Sequence, residues 1–391
     1  MFDRLRSFSD TMLESFWFVP LVMVAVSQSV VIPLLVFGFD PGGWLIDLGL
    51  PILADSMTRA SDGVSASGAG TVLSVIAGGM ITLISIVFSL SFVALTLTSQ
   101  QLGPRIIDYW LRANSTQALL GISLSAFFAA LTGLLALSVT EQAGRAALLG
   151  VGVASLLGAL ALVSAVLFAT RMSEAIRADV TVARLGDAFV EAVRESCANP
   201  AAEEDLAAAD ELAALAEAQG RVIPARRAGY LSVVDLPGVE ALTRKRNLRI
   251  AVLARENDYL LPGRPAALAL GVRDEDESDV ADALDACFRF TPRRRRTGMA
   301  DFEGDALTEV ALRALSPSLN DPFTAMACTD RIGEGCVALL AEGPPKRVRL
   351  DDGMAVVVAP GAGAAWLIPR LMHPIIQSAE GQPLALERLA D

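Results

Sequence analysis

The sequence predicts an α-helical membrane protein, with four transmembrane helices followed by a C-terminal cytoplasmic α+β domain. Three observations support this fold class. Hydrophobic residues make up 53% of the 391-residue chain, and its mean hydropathy is positive. Four long apolar runs lie in the first 171 residues, each long enough to cross a bilayer as a helix. From residue 221 onward, short strand-like and helical segments alternate in a polar sequence.

The four predicted spans each have about the length of a transmembrane helix. They cover about residues 17–38, 72–98, 117–139 and 146–170. Trp17 lies at the start of the first span, where an aromatic side chain suits the membrane interface. Pro33 is predicted to bend or end that helix. Gly150, Ala154 and Gly158 in the fourth span form a small-xxx-small pattern that permits close helix packing.

The distribution of arginines predicts the orientation, because loops on the cytoplasmic side carry an excess of Lys and Arg. One set of flanking segments contains Arg4, Arg6, Arg105, Arg112, Arg171, Arg177 and Arg184. The opposite segments, including an outer loop at 39–71 that we expect to be flexible, carry few arginines and several aspartates. Both termini are therefore predicted to lie on the cytoplasmic side of a bacterial inner membrane.

The second span carries a polar seam along an otherwise apolar helix. Its members recur at intervals of three and four residues: Gly78, Thr82, Ser85, Ser89, Phe92, Thr96 and Ser99. The opposite face is predicted to be apolar and contains Ile76, Leu83, Val87, Leu90 and Leu97. Because polar groups within a membrane face protein or water, this seam predicts contact with one or the other rather than with lipid.

Two functions are compatible with such a seam. In the first, the protein is a homo-oligomeric channel whose pore is lined by the seam, and Phe92 forms a hydrophobic constriction above a regulatory cytoplasmic domain. In the second, it is a non-conducting scaffold or regulatory subunit. There the seam packs within one bundle, and the cytoplasmic domain binds a partner protein. The spans contain no ionisable residue, which argues against a proton-driven pump or a voltage sensor.

The chain is predicted to divide into a transmembrane domain at 1–171, a helical stalk or linker at 172–220, and the cytoplasmic domain at 221–391. The stalk is expected to continue the fourth helix, and Asn199 and Pro200 are expected to open the next one. Strands are predicted at 229–235, 248–254, 347–350 and 354–358. Helices are predicted at 237–246, 278–290, 302–315, 322–341 and 366–377, the last interrupted before Pro374.

Two resemblances to known families follow from these segments. The strand-like, turn-rich stretch from residue 229 to 265 resembles barrel-sandwich modules such as the biotinyl-lipoyl fold, but it lacks the lysine that carrier domains modify. Most of the chain resembles a bacterial family of predicted inner-membrane proteins known as domain of unknown function 2254. The matching segments are SFWFVP at 15–20, IAGGMIT at 76–82, VFS at 87–89, SQQLGPR at 99–105, AGY at 228–230 and ALRALSPSLNDPFTA at 311–325. The resemblance implies a membrane location and no particular reaction.

The sequence contains no pattern that predicts catalysis, and we expect the protein not to be an enzyme. Its one histidine, His373, is expected to be a packed core residue, and no metal or cofactor motif is present. The net charge of −12 disfavours nucleic acid as a partner and leaves membrane lipids and other protein chains.

Two polar clusters remain. Arg293, Arg294, Arg295 and Arg296 could bind an anionic ligand or lipid headgroups, or they could form ion pairs with Asp301, Glu303 and Asp305. The second cluster is expected to form a structural turn with a helix cap, on which a binding site remains an alternative. It consists of Arg313, Ser316, Asn320, Asp321 and Pro322.

Overall fold

The structure is a computed structural model of the chain, and it divides into two compact units, Met1–Ala178 and Asp179–Asp391. It describes residues 17–36, 65–103, 114–139, 143–175, 177–294 and 299–390. The first unit contains the apolar helices. The second contains all of the described strands.

The described residues of the first unit include four helices long and apolar enough to cross a membrane. They are α1 (Phe18–Val36), α2 (Ala66–Leu102), α3 (Asn114–Val139) and α4 (Ala143–Ala175). Half of the apolar stretch of α3 is buried within the unit, against 17–22% for the other three. The third helix is therefore the central one, and the others pack around it.

Small residues allow α3 and α4 to approach closely. A Cβ on Gly150 would lie 3.4 Å from the Cα of Gly133, so the two backbones are almost in contact. Ala154 is fully buried, and Gly158 faces Ile76 of α2. The predicted close packing along the fourth span is thus observed.

The second helix is longer than the sequence predicted. The predicted span was 72–98, but α2 runs from Ala66 to Leu102 because Ser65 caps its start, with Oγ accepting a hydrogen bond from the N–H of Gly68 at 3.1 Å. The end of the segment expected to be a flexible loop is therefore helical. The rest of that loop, up to residue 64, lies outside the described residues.

The predicted stalk consists of two helices that belong to the second unit, α5 (Ala178–Ser196) and α6 (Glu203–Gln219). The fourth apolar helix ends at Ala175, so the predicted continuous helix is wrong. Asn199 and Pro200 do not open α6. Its N-cap is Ala202, whose N–H donates to Asp205 of the first turn at 3.1 Å, while Pro200 forms an isolated β-bridge with Pro345.

The remaining elements of the second unit alternate between strand and helix. The strands are β1 (Arg221–Pro224), β2 (Gly229–Val234), β3 (Arg249–Val252), β4 (Tyr259–Leu260), β5 (Pro265–Leu270), β6 (Phe288–Thr291), β7 (Val348–Asp351) and β8 (Met354–Val358). The helices are α7 (Leu236–Arg246), α8 (Glu277–Ala286), α9 (Ala300–Ala314), α10 (Pro322–Glu342), α11 (Ala364–Ser378) and α12 (Pro383–Ala390), with a 3₁₀ turn at Asp274–Asp276.

These strands form two sheets. The larger has the order β1-β5-β3-β8-β7, in which only the β3–β8 pair is parallel, and the smaller has the order β4-β2-β6. Both sheets share one apolar core with α7 and α8, built around Leu231, Ile250, Leu284 and Val357. An open mixed sheet with a parallel pair departs from the predicted likeness to a barrel-sandwich module.

Three details of this unit differ from the sequence predictions. The helix predicted at 278–290 ends at Ala286, because Phe288 and Phe290 continue as strand β6 instead. The helix predicted to break before Pro374 is continuous, since burial of the stripe Leu367, Leu371 and Ile375 compensates for the hydrogen bonds that its prolines remove. Strands β1 and β4 and helix α12 were not predicted.

Candidate functional site

The polar seam of α2 lies on the side of the helix that faces away from its own bundle. Six of its seven members are exposed, and Ser99 is partly exposed. The residues that α2 buries in the bundle lie nearly opposite: Leu73, Ala77, Met80, Val87 and Ala94. The seam therefore does not hold this single bundle together.

Three of the five hydroxyl groups of the seam donate to the backbone of their own helix. Thr82 Oγ1 lies 3.0 Å from the carbonyl oxygen of Gly78, and Ser85 Oγ lies 2.9 Å from that of Ile81. Thr96 repeats the pattern with the residue four positions before it. These bonds satisfy the hydroxyl hydrogens, and the oxygens keep lone pairs that can accept from water or from a partner.

Two further features shape this exposed surface. Phe92 projects from the middle of the seam with 66% of its surface exposed. At one end of the seam the helix backbone is uncovered, because an added Cβ on Gly78 or Gly79 would meet nothing within 4 Å. On the face of α2 predicted to be apolar, Val87 is buried, whereas Leu90 is 49% and Leu97 40% exposed.

The arginine run at 293–296 is split between two environments. Arg294 is mostly buried, and its guanidinium lies 3.1 Å from Asp301 and 2.7 Å from Asp305. Arg370 also binds Asp305, at 2.9 Å. Arg293 is exposed, while Arg295 and Arg296 lie outside the described residues. For Arg294 the ion-pair interpretation is therefore the one observed, and the headgroup interpretation stays a prediction.

The two aspartates of this ionic cluster respond differently to burial. Burial raises the pKa of Asp301, and the nearby charge of Arg294 offsets this only in part. Burial also opposes ionisation of Asp305, but hydrogen bonds from Arg370 and Arg294 hold the pKa of that carboxyl below its ordinary value. Asp305 is thus held in its ionised form and forms ion pairs with both Arg294 and Arg370.

The cluster from Arg313 to Pro322 forms a turn that begins α10. Asp321 is the N-cap, and its carboxylate accepts hydrogen bonds from the N–H and the hydroxyl of Thr324 at 3.1 and 2.6 Å. Pro322 occupies the first helical position. Asn320 adopts a positive φ of 47°, and its side chain accepts from Gln382. Ser316 contacts Ser318 within the same turn.

A cleft of about 1000 Å³ lies within the second unit, and sequence reasoning did not predict it. Its walls come from β2, β6, the first residues of α7, α9 and α11, and the segments after β3 and before β7. Its basic side chains are Arg227, Arg255, Arg289, Lys346, Arg347 and Arg349. Its acidic side chains are Asp235, Glu256 and Asp301. This feature is called the basic cleft below.

Three of the six basic groups pair with carboxylates outside the cleft lining. These pairs are Arg227–Asp285, Lys346–Asp205 and Arg349–Glu240. Arg347 forms an ion pair with Glu256 of the cleft lining at 3.4 Å. The Nε of Arg347 is buried and has no hydrogen-bond partner among the described residues. Arg255 forms no ion pair with any described carboxylate. Its guanidinium donates to the carbonyl of Gly361 and lies 4.5 Å from the ring centre of Trp366.

Comparison with known proteins shows which family the chain belongs to. The family model described as a predicted membrane protein, DUF2254, matches residues 13–391. The chain belongs to this family.

Relatives of this DUF2254 protein occur in mycobacteria. One uncharacterised protein of Mycobacterium bovis and one of Mycobacterium tuberculosis H37Rv are each 26% identical to it over 360 residues. Each match covers 90% of this chain and 65% of the relative, so the chain spans just under two thirds of their length. No solved structure matches the chain.

Sequence reasoning missed the cleft in this DUF2254 protein because its residues come from many separate stretches, spread from Ser196 to Trp366. None of those stretches forms a local motif, so only the fold brings them together. His373, expected in the core, is exposed, because it lies between the inward-facing Leu371 and Ile375 on the outer side of α11. Among the described residues, no cluster of His, Cys, Asp and Glu could hold a metal ion.

Proposed function

We propose that this membrane protein assembles as a homo-oligomer in which the α2 helices of neighbouring copies line a passive pore. The observation that supports the proposal is the exposed position of the seam from Gly78 to Ser99, on the side of α2 that its own bundle leaves uncovered. A row of hydroxyl groups suits water or a second copy better than lipid.

In the proposed pore, Phe92 forms the constriction. It is the one large side chain in the seam, and a ring of such side chains closes a pore by excluding water. Four spans give one copy too few helices to enclose a path by itself, so conduction needs several copies. The C-terminal unit is proposed to lie in the cytoplasm. Arginine is concentrated in the flanking segments that are predicted to lie on the same side of the membrane as this unit.

A non-conducting scaffold is the second candidate, and two observations favour it. The hydroxyls of Thr82, Ser85 and Thr96 donate to their own helix, so these three need no water as an acceptor. In addition, α10 exposes Phe323, Val337 and Leu340, which would suit a protein partner. In this case the seam, with the uncovered backbone at Gly78, would form a dry helix–helix contact.

Cysteine cross-linking tests whether copies meet at the seam. Ser85→Cys in native membranes is expected to give disulfide-linked dimers on mild oxidation, because the same seam of two copies would face a common axis. Leu90→Cys is the matched control, since Leu90 is exposed on the same helix but lies outside the seam. Cross-linking is read as a shift to twice the chain mass on a non-reducing gel.

The outcomes separate the candidates. Cross-linking of Ser85→Cys alone supports an oligomer built on the seam. Equal cross-linking of both variants, or of neither, together with a monomeric mass in nanodiscs, would contradict the pore. A stoichiometric partner that co-purifies with the wild type and is lost on Phe323→Ala would support the scaffold.

A further inference from the structure

We propose that the basic cleft of the second unit binds a small molecule that carries phosphate groups. The shared chemistry is a phosphate ester, supplied either by a soluble metabolite or by a lipid headgroup. The inference is independent of conduction, because it rests on residues of the second unit alone.

The charges of the cleft favour an anion. Six basic side chains line it, against three acidic ones, although the whole chain has a net charge of −12. The acidic groups are already engaged: Asp235 caps α7, Glu256 accepts from the N–H of Val234 as well as from Arg347, and Asp301 binds Arg294. Arg227, Lys346 and Arg349 pair with carboxylates outside the lining, so the positive charge that favours an arriving anion comes mainly from Arg255, Arg289 and Arg347.

Arg255 and Arg347 are the two groups that an anion would satisfy. Arg347 Nε is buried and has no partner among the described residues, and its single ion pair is long at 3.4 Å. The pKa of the Arg255 guanidinium is lowered, chiefly by burial. The charge of Asp258 opposes this shift, and the neighbouring charge of Arg347 adds to it. Two guanidiniums that repel each other inside a cleft are stabilised by an anion between them.

The N-terminal ends of helices also contribute positive potential to the basic cleft. The first residues of α7 and α9 belong to the cleft wall, and so does Trp366 in the first turn of α11. Neither α9 nor α11 has a side chain that caps its N-terminus. Backbone N–H groups at such ends carry partial positive charge and bind phosphate oxygens. Arginine side chains and helix ends therefore point to the same ligand chemistry.

The size of the cleft limits the ligand to a small molecule. Binding cavities for small organic ligands have volumes of roughly 300–1,000 Å³. At about 1000 Å³, the cleft accommodates a nucleotide-sized ligand, and Trp366 and Phe290 supply apolar surface beside the arginines. A phosphate group fits better than a single carboxylate, because its oxygens can accept from both guanidiniums and from a helix end at once.

Direct binding measurements test the inference. The full chain is reconstituted in nanodiscs of phosphatidylcholine, and isothermal titration calorimetry follows binding of ADP and of pyrophosphate. We expect saturable binding of at least one of these probes, weakened by added salt. Arg255→Gln and Arg347→Gln are each expected to weaken that binding at least tenfold.

Arg264→Gln is the matched control, because Arg264 is an exposed arginine of the same unit outside the cleft lining. It is expected to bind as the wild type does. Circular dichroism melting of each variant verifies that the fold is retained. Two separate cleft variants are used so that the test still holds if one of them fails to fold. Absence of saturable binding of both probes, or equal weakening in Arg264→Gln, would overturn the inference.

A second set of nanodiscs, made with phosphatidylglycerol, identifies the source of the phosphate. If ADP or pyrophosphate binds equally in both lipids, the site accepts a soluble ligand. If phosphatidylglycerol abolishes binding in the wild type, a lipid headgroup occupies the cleft. Either result preserves the assignment of a phosphate site and names the molecule class that fills it.

Discussion

At the scale of single residues, Glu303 is the most unusual group in the second unit. It lies on α9 with only 7% of its surface exposed, and Oε2 has no hydrogen-bond partner among the described residues. Burial raises its pKa from 4.5 to about 7. The folded chain therefore keeps this proton where the unfolded chain has already released it.

This carboxyl predicts a pH dependence of stability. Between about pH 4.5 and 7 the folded state binds more protons than the unfolded state, so the free energy of unfolding falls as the pH rises through this window. The total loss is up to about 3 kcal/mol. We expect Glu303→Gln to remove it, so that the variant gains stability over the wild type from pH 5 to pH 8.

Thermal unfolding of the full chain in detergent across this pH range measures the difference. Glu342→Gln, at an exposed carboxylate near the end of α10, is the control and should follow the wild type. A Glu303→Gln variant whose stability ran parallel to the wild type at every pH would show that Glu303 does not titrate in this window.

At the scale of elements, helix α10 packs on α5 through a glycine. Phe189 of α5 is fully buried, and an added Cβ on Gly335 would overlap its ring. Gly304 of α9 faces the same ring, at 3.1 Å from an added Cβ. One aromatic side chain thus fills a socket made by two helices, and the missing side chains of the glycines are what make room for it.

Paired alanine substitutions test this packing. Gly335→Ala is expected to lower the free energy of unfolding by about 1–3 kcal/mol, the typical cost of overpacking a core. Gly333→Ala, two residues away on the same helix, meets nothing within 4 Å and should be neutral or stabilising by up to about 1 kcal/mol. Denaturation of the full chain compares them. Equal effects would show that the Phe189 contact is not tight.

The elements also show what the sequence could predict. The four apolar helices and most helices of the second unit follow from periodicity and from caps such as Asp321, because those signals are local. The end of α8 was missed, since Phe288 and Phe290 suit either a buried helix or a strand until their partner strand is known. The basic cleft could not be predicted, because its residues come together only when the strands have paired into two sheets and these sheets have packed on one core.

At the scale of the whole molecule, the chain combines an apolar four-helix unit with a compact α+β unit. Among the described residues of the helical unit, the hydroxyl-bearing side of α2 faces away from its own bundle. The second unit has its own core and its own basic cleft. In the proposed channel, the first unit supplies the conducting path and the second supplies the ligand site, so each proposal can be tested separately.

Single-channel recording from proteoliposomes containing the purified protein, with and without membrane tension, tests the proposed pore most directly. We predict discrete openings in the wild type and a larger open probability in Phe92→Ala, because the constriction loses its ring. Leu90→Ala, an equally apolar change outside the seam, should leave the openings unchanged. Silence of all three proteins across voltage, tension and several ions, or identical openings in all three, would contradict a pore gated at Phe92.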